Sequence, residues 1–223
     1  MRMKTDAHRR AVAVMPGAVI FELAVPCEAF AIPRPEFVDR WCEITLCVSA
    51  PGTVIVGGFA ATTPFGLDEL TAAETVIVPA CTNVQENQPT ELVAAVAEAH
   101  ARGTPIVSIC SGAFVLAQAG LLDGRRATTH RMRAAELRRR FPKVMVDDNV
   151  ISTHGDRIHT SAGTAARIDL RIELVRQDHG VVIANAVARR MVTPPHREAD
   201  QAQYIPRRCP LRVPCCWAKS PIG

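Results

Sequence analysis

Short apolar runs separated by turn residues recur along most of the chain and predict buried β-strands. The first run, residues 11–15, ends at Pro16 and Gly17, which favour a turn. Runs of the same kind lie at residues 44–48, 54–56, 75–79 and 104–107. Residues 144–146 and residues 149–160 predict two more short strands.

Between these runs the apolar spacing changes to that of helices. In residues 89–102, Leu92, Val96 and Ala99 fall on one face, and Pro89 suits the first turn. Comparable patterns predict helices at residues 22–31, 113–119 and 132–140, from residue 161 onward, and at about 181–191. Because continuously apolar strands alternate with helices, we expect an α/β fold with a mainly parallel sheet covered on both faces.

The composition fits one substantial domain and excludes several functional classes. The 223 residues are 48% hydrophobic but only 4% aromatic, and the formal net charge is +4. This charge is too small to indicate nucleic-acid binding, and the basic residues 131–140 are interpreted as a solvated helix face. No apolar run approaches the ~20 residues that span a bilayer. We therefore expect a cytoplasmic protein with no membrane partner.

The eight cysteines do not follow the spacing of a disulfide framework or a zinc site. Five are scattered singly through apolar segments, as is typical of reduced thiols, and three lie among the last fifteen residues. We expect neither a metal nor a cofactor. The domain is expected to span residues 10–193, after an N-terminal tail of residues 1–9. Residues 194–223 are rich in proline and cysteine and are expected to form a disordered linker and tail.

The segment that best indicates function is Ser108-Ile109-Cys110-Ser111-Gly112-Ala113-Phe114. It places Cys110 at the break between a buried strand and a helix, where the helix N-terminus favours a thiolate. The backbone N–H groups of Ser111 and Gly112 could then hold an oxyanion or a ligand. The alternative is a small cysteine packed in the core, since cysteine is often buried.

Two residues could handle protons beside such a cysteine. His130 follows the turn after the Cys110 helix, and Glu22 follows the first strand, so both could reach the carboxyl edge of a parallel sheet. Each has a structural alternative, since His130 could be a surface or helix-cap residue and Glu22 a solvated acid at a helix start. His154, His159 and His179 are interpreted as structural.

Three segments that contain or follow these residues resemble the ThiJ/PfpI superfamily, a branch of the class I glutamine amidotransferase-like fold. They are residues 109–117 around Cys110, residues 120–130 ending in His130, and residues 160–170 at the start of a late helix. The resemblance implies a flavodoxin-like three-layer sandwich with a nucleophile elbow at Cys110. It also implies that the superfamily's catalytic cysteine, histidine and acid correspond to Cys110, His130 and Glu22.

Further segments narrow the resemblance to one subgroup, namely residues 21–23, 27–30, 141–144, 188–197 and 201–205. These segments are similar to the GlxA-like transcriptional regulators of the AraC/XylS type. In such proteins a ThiJ/PfpI-like domain that senses a small molecule precedes a DNA-binding domain with two helix-turn-helix units. The resemblance implies a ligand-sensing domain that forms a homodimer.

The chain also departs from the subgroup. Arg131 stands where tryptophan is usual, Arg167 where a small residue is expected, and Ala199-Asp200 where two glycines are usual. After Arg207 the resemblance ends. We expect a truncated or frameshifted regulator that would contact DNA only through a C-terminal domain that it lacks.

Two other functions stay open. Relatives in the superfamily include hydratases, hydrolases and deglycase-like proteins, which implies an enzyme with Cys110 as nucleophile. Ser111 and Gly112 would stabilise the oxyanion, and Glu22 or His130 would move protons. A protective role through oxidation of Cys110 would need the same exposed thiol of low pKa.

Overall fold

The computed structural model describes residues 7–15, 18–38, 41–50, 52–56, 59–81, 83–163 and 166–192. The expected tail at residues 194–223 and most of the expected N-terminal tail lie outside these ranges. Within them, no helix combines the length and the apolar character needed to cross a bilayer.

The strands form one central sheet and two small accessory sheets. In chain order they are β1 (His8–Ala13), β2 (Cys42–Cys47), β3 (Gly52–Val56), β4 (Phe59–Thr63), β5 (Thr75–Val78), β6 (Ile106–Ile109), β7 (Arg126–Ala127), β8 (Met145–Val146), β9 (Ser152–His154) and β10 (Ile158–Ser161). The central order is β2-β1-β5-β6-β10-β9, in which β9 alone runs antiparallel to its neighbour. The parallel strands follow the flavodoxin-like order, so the predicted fold class is confirmed.

The helices cover both faces of this sheet. They are α1 (Ile20–Pro26), α2 (Glu69–Ala72), α3 (Thr90–Ala101), α4 (Ala113–Gln118), α5 (Arg131–Arg140), α6 (Ala166–His179) and α7 (Val181–Arg190). A π-helical turn, Cys27–Ala31, continues α1, and a 3₁₀ turn, Cys110–Gly112, precedes α4. The predicted helices are thus present, with ends shifted by a few residues.

Several short elements were not predicted from the sequence, because they contain too few residues to show a repeating pattern of apolar positions. These are α2, β4 and β7. Residues 149–160 were expected to form a single strand, but they contain β9 and the start of β10, separated by a turn at Gly155. Glycine and aspartate at residues 155–156 favour that turn.

Alternate residues of the inner strands pack on opposite faces, which explains the continuous apolar runs. Ala11 and Ala13 face a core that contains α3 and α4, whereas Val12 and Val14 face a core that contains residues of α6 and α7. Both cores therefore favour apolar residues at successive positions of the inner strands.

A buried ion pair joins the sheet to α6. The Arg10 guanidinium on β1 is 1% exposed and donates to the Asp178 carboxylate near the end of α6. It also donates to Cys42 Sγ at 2.6 Å and lies 4.0 Å from the centre of the Phe30 ring. Because a buried cation is costly unless it is paired, Asp178 is expected to be essential for docking α6.

A second buried guanidinium supports the π-helical turn. Arg34 is 1% exposed and donates to the Glu28 carbonyl at 3.1 Å, while Trp41 Nε1 donates to the Ala29 carbonyl at 3.2 Å. Burial lowers the pKa of Arg34 from its ordinary value, and the nearby Arg190 lowers it further. These two donors supply hydrogen bonds where the turn has left the α-helical pattern.

Replacing Asp178 tests the Arg10 ion pair. Asp178→Asn leaves the Arg10 cation buried without a counter-charge, so the free energy of unfolding in urea should fall by about 3–5 kcal/mol. The control is Glu98→Gln, which neutralises an ion pair to Arg102 whose side chains are 54% and 59% exposed. That change should cost less than about 1 kcal/mol. Equal losses in the two variants would contradict the assigned role of Asp178.

Candidate functional site at the carboxyl edge of the sheet

Cys110 lies on a strained turn directly after β6. Its φ is +54°, whereas Ile109 before it is extended and residues Ser111 to Gln118 continue as 3₁₀ and α-helix. A left-handed conformation is unfavourable for a non-glycine residue and is retained mainly where the surroundings require it. The Cys110 side chain is half-buried, so the turn presents a partly accessible thiol at the helix N-terminus.

Gly112 allows this turn to sit against the end of β5. A Cβ atom at residue 112 would lie 2.3 Å from the Val78 carbonyl oxygen and 2.6 Å from the Pro79 carbonyl oxygen. Both distances are far below contact, and both neighbours are backbone atoms. Only glycine therefore permits the elbow to approach β5 so closely.

A reciprocal pair of hydrogen bonds locks the elbow to the loop after β5. The Cys81 thiol donates to the Ser111 carbonyl at 3.0 Å, and the Ser111 hydroxyl donates to the Cys81 carbonyl at 2.9 Å. Burial raises the pKa of Cys81 to about 11, and the nearby Cys110 makes a smaller contribution to this rise. Cys81 is thus a neutral structural thiol beside the candidate reactive one.

Glu22 reaches the same edge from the first turn of α1. It is only 5% exposed, and its Oε2 accepts from the Ala80 N–H at 3.4 Å. Ala80 precedes Cys81, so the carboxylate contacts the same loop that holds the elbow. The solvated acid considered from the sequence is excluded, because Glu22 is buried.

His130 is the N-cap of α5. Its Nδ1 accepts from the Met132 N–H at 3.2 Å, so only Nε2 is left to exchange a proton with a ligand. The ring lies over Gly163, where a Cβ would come within 3.1 Å of the His130 Cδ2 and where φ is +155°. The neighbouring Thr129 hydroxyl donates to the Cys110 carbonyl at 2.7 Å, which ties this segment to the elbow.

A buried threonine network supports the segment before His130. The Thr128 N–H donates to Thr160 Oγ1 at 2.7 Å, and Thr160 Oγ1 lies 2.7 Å from Thr153 Oγ1. The Thr128 hydroxyl donates to the Val150 carbonyl at 3.3 Å. These bonds hold residues 128–130 against the end of β10.

The structure therefore places Cys110, Ser111, Gly112, Glu22 and His130 at one edge of the sheet. Cys81 and Thr129 are components that the sequence did not indicate. Cys81 could have been found from its position just after a predicted strand, but its bonds to Ser111 come from the fold. Among the described residues no group of three or more potential metal-binding side chains occurs.

Comparison with sequence profiles of known protein families identifies the family of this chain. Residues 47–177 match the profile of the DJ-1/PfpI family, and this segment contains the elbow. The chain belongs to the DJ-1/PfpI family.

Individual relatives of this DJ-1/PfpI chain include both regulators and an enzyme. The HTH-type transcriptional regulator ArgR of Pseudomonas aeruginosa is 38% identical over 104 residues, which are 47% of this chain and 31% of the relative. The isonitrile hydratase of Pseudomonas putida is 35% identical over 82 residues, 37% of this chain and 35% of the enzyme. Each match thus spans about a third of the relative's length.

Solved structures support the DJ-1/PfpI fold. An AraC family transcriptional regulator from Pseudomonas putida superposes with a TM-score of 0.71 at 18% identity, over 82% of this chain and 99% of the solved chain. At this identity the similarity shows a shared fold.

Gly112→Ala tests the close approach of the elbow to β5. The added Cβ would collide with two carbonyl groups, so we expect a loss of about 3 kcal/mol in the free energy of unfolding in urea. The control is Gly155→Ala, because a Cβ there would lie 3.5 Å from the Ile158 carbonyl oxygen, an ordinary contact. If the two variants unfold at the same urea concentration, the approach of residue 112 to β5 is not required.

Proposed function

We propose that this chain is a ligand-sensing DJ-1/PfpI domain of the kind found in AraC-type transcriptional regulators. The observation that carries the proposal is the 38% identity to the regulator ArgR. The ligand would be a small molecule bound at the carboxyl edge of the sheet, between Cys110, Glu22 and His130. Recognition of the ligand, and not its conversion, would be the role of this edge.

The local chemistry suits recognition. The Glu22 carboxylate offers a buried acceptor for an N–H or O–H group, and His130 Nε2 offers a donor when Nδ1 accepts from the Met132 N–H. The N–H groups of Ser111 and Gly112 begin a helical segment, where an anionic or carbonyl oxygen could bind. The Ser111 hydroxyl is already bonded to Cys81, so Ser111 would contribute its backbone.

An enzyme is the second candidate, and the positive φ of Cys110 favours it together with the similarity to isonitrile hydratase. The Cys110 thiolate would attack the substrate, and the Ser111 and Gly112 N–H groups would stabilise the developing negative charge. Glu22 or His130 Nε2 would transfer the proton.

The sensing proposal carries expectations about partners and location. By resemblance, we propose a homodimer that works in the cytoplasm. DNA contact is not assigned to residues 7–192, because their sequence offers no helix-turn-helix candidate. Light scattering during size-exclusion chromatography would give the mass of the assembly, and a gel-shift assay with operator DNA would test for specific binding.

Ligand stabilisation separates sensing from catalysis. Amino acids, carboxylic acids and amines would be screened for compounds that raise the melting temperature, and NMR would then follow each compound during incubation with the protein. We expect a compound that stabilises the protein and is not converted. Its affinity should be unchanged in Cys110→Ser and at least tenfold lower in Glu22→Gln. The control is Glu28→Gln, which lies in the π-helical turn. Conversion of a compound that stops in Cys110→Ser would establish the enzyme instead.

Thiol alkylation measures whether Cys110 is activated. Because burial raises the pKa of Cys81 to about 11 and of Cys47 to about 12, at most about one Cys81 in a thousand is a thiolate at pH 8. Peptide mass spectrometry after brief iodoacetamide treatment should therefore find both unlabelled in the folded protein between pH 6 and 9. For a sensor, labelling of Cys110 should rise with a midpoint near the ordinary thiol value of about 8.5. A midpoint more than about one unit lower would favour the enzyme.

A further inference from the structure

A pair of histidines outside the candidate site lies on the two outermost strands at one side of the central sheet, β9 and β10. His154 on β9 and His159 on β10 are directly opposed in the antiparallel register. Directly opposed residues of an antiparallel pair project from the same face, so the two imidazoles meet there. The rings are tilted by 59° with centroids 5.3 Å apart, so the contact between them is not a stacking interaction.

The two rings meet through their nitrogens. His154 Nδ1 lies 3.1 Å from His159 Nδ1. When two nitrogens each lie about 2.05 Å from one metal ion, a separation of 3.1 Å corresponds to a nitrogen–metal–nitrogen angle of about 98°. This angle lies between the square-planar and tetrahedral values. The two nitrogens therefore already have the separation that one ion requires, and each ring has only to turn until its lone pair points at the ion.

A third side chain orients one of these rings. Ser152 Oγ lies 3.2 Å from His154 Nε2. When Nε2–H donates to Ser152, His154 Nδ1 carries a lone pair directed at His159. Metal-binding histidines commonly donate their other ring N–H in this way, because the bond fixes both the tautomer and the ring orientation.

The charge around the pair also suits a cation. Neutral imidazole is the form that binds metals, and it predominates above the ordinary histidine pKa of about 6.5. The Glu173 carboxylate on α6 acts electrostatically on both rings and adds negative potential, although it also bonds to Arg176 and Gln177. His154 is exposed, which leaves a path for an ion from solvent.

We propose that His154 and His159 bind one divalent transition-metal ion through their Nδ1 atoms, with water in the remaining positions. Ions that prefer imidazole, namely Ni²⁺, Cu²⁺ and Zn²⁺, fit this donor set. On binding, the hydrogen that lies between the two Nδ1 atoms moves to Nε2 of its own ring, so both imidazoles stay neutral. The ion would hold β9 and β10 together. Thr160, beside His159, accepts from the Thr128 N–H, so a more rigid β10 would also restrict the movement of Thr128.

Nickel titration of the full chain tests the site. With histidine-selective isotope labelling, the ring signals of His154 and His159 should broaden first as paramagnetic Ni²⁺ is added. Calorimetry should give an affinity at least tenfold lower for His154→Gln and for His159→Gln. The control, His100→Gln, changes a histidine of α3 and should bind as the original chain does.

A milder substitution still tests the site if the histidine variants do not fold. Ser152→Ala keeps both ligands and removes the group that orients His154, so we expect roughly tenfold weaker Ni²⁺ binding. Ni²⁺ should also raise the melting temperature of the original chain more than that of either glutamine variant. The proposal is overturned if the signals of other histidines, such as His130, broaden first. It is also overturned if both glutamine variants bind Ni²⁺ within twofold of the original affinity.

Discussion

The approach of Gly112 to the Val78 and Pro79 carbonyls is the constraint on which the site depends. Because no side chain fits between them, only glycine lets the helix after Cys110 begin against the end of β5. The chain enters this helix through a sharp turn, in which Cys110 has a positive φ. The strain is offset by hydrogen bonds on both sides, from Cys81 and from Thr129, which hold the turn in place.

Two kinds of polar contact stabilise opposite ends of the domain. At the carboxyl edge, small neutral groups form hydrogen bonds with their neighbours, as Ser111 does with Cys81 and Thr160 with Thr153, and so stiffen the site at little electrostatic cost. At the other end, the buried Arg10 relies on the charge of Asp178. The apolar layers between them contribute most of the folding energy but do not determine which side chains reach the edge. Function therefore depends on polar residues that form a small part of the interior.

Much of the fold could be predicted from the sequence, because continuous apolar strands and helical spacing are local signals. The position of Cys110 at a break between strand and helix is equally local. The role of His130 is different. Its spacing suits a site residue, but its Nδ1 caps α5, which depends on the conformation of the residues that follow it. The burial of Glu22 and the bonds between Cys81 and Ser111 join segments far apart in the chain. No pattern within one segment encodes such contacts.

The separation of Arg10 from Asp178 also has a consequence for the order in which a new chain can fold. The two residues are 168 positions apart, so the ribosome releases the first strand long before its counter-charge exists. Until α6 emerges, closing the sheet around Arg10 would bury an uncompensated cation, which is strongly unfavourable. We therefore expect β1 to complete its packing only after Asp178 has been synthesised. The rate of translation between β1 and α6 would then influence how long the apolar strands stay exposed to aggregation and to chaperones.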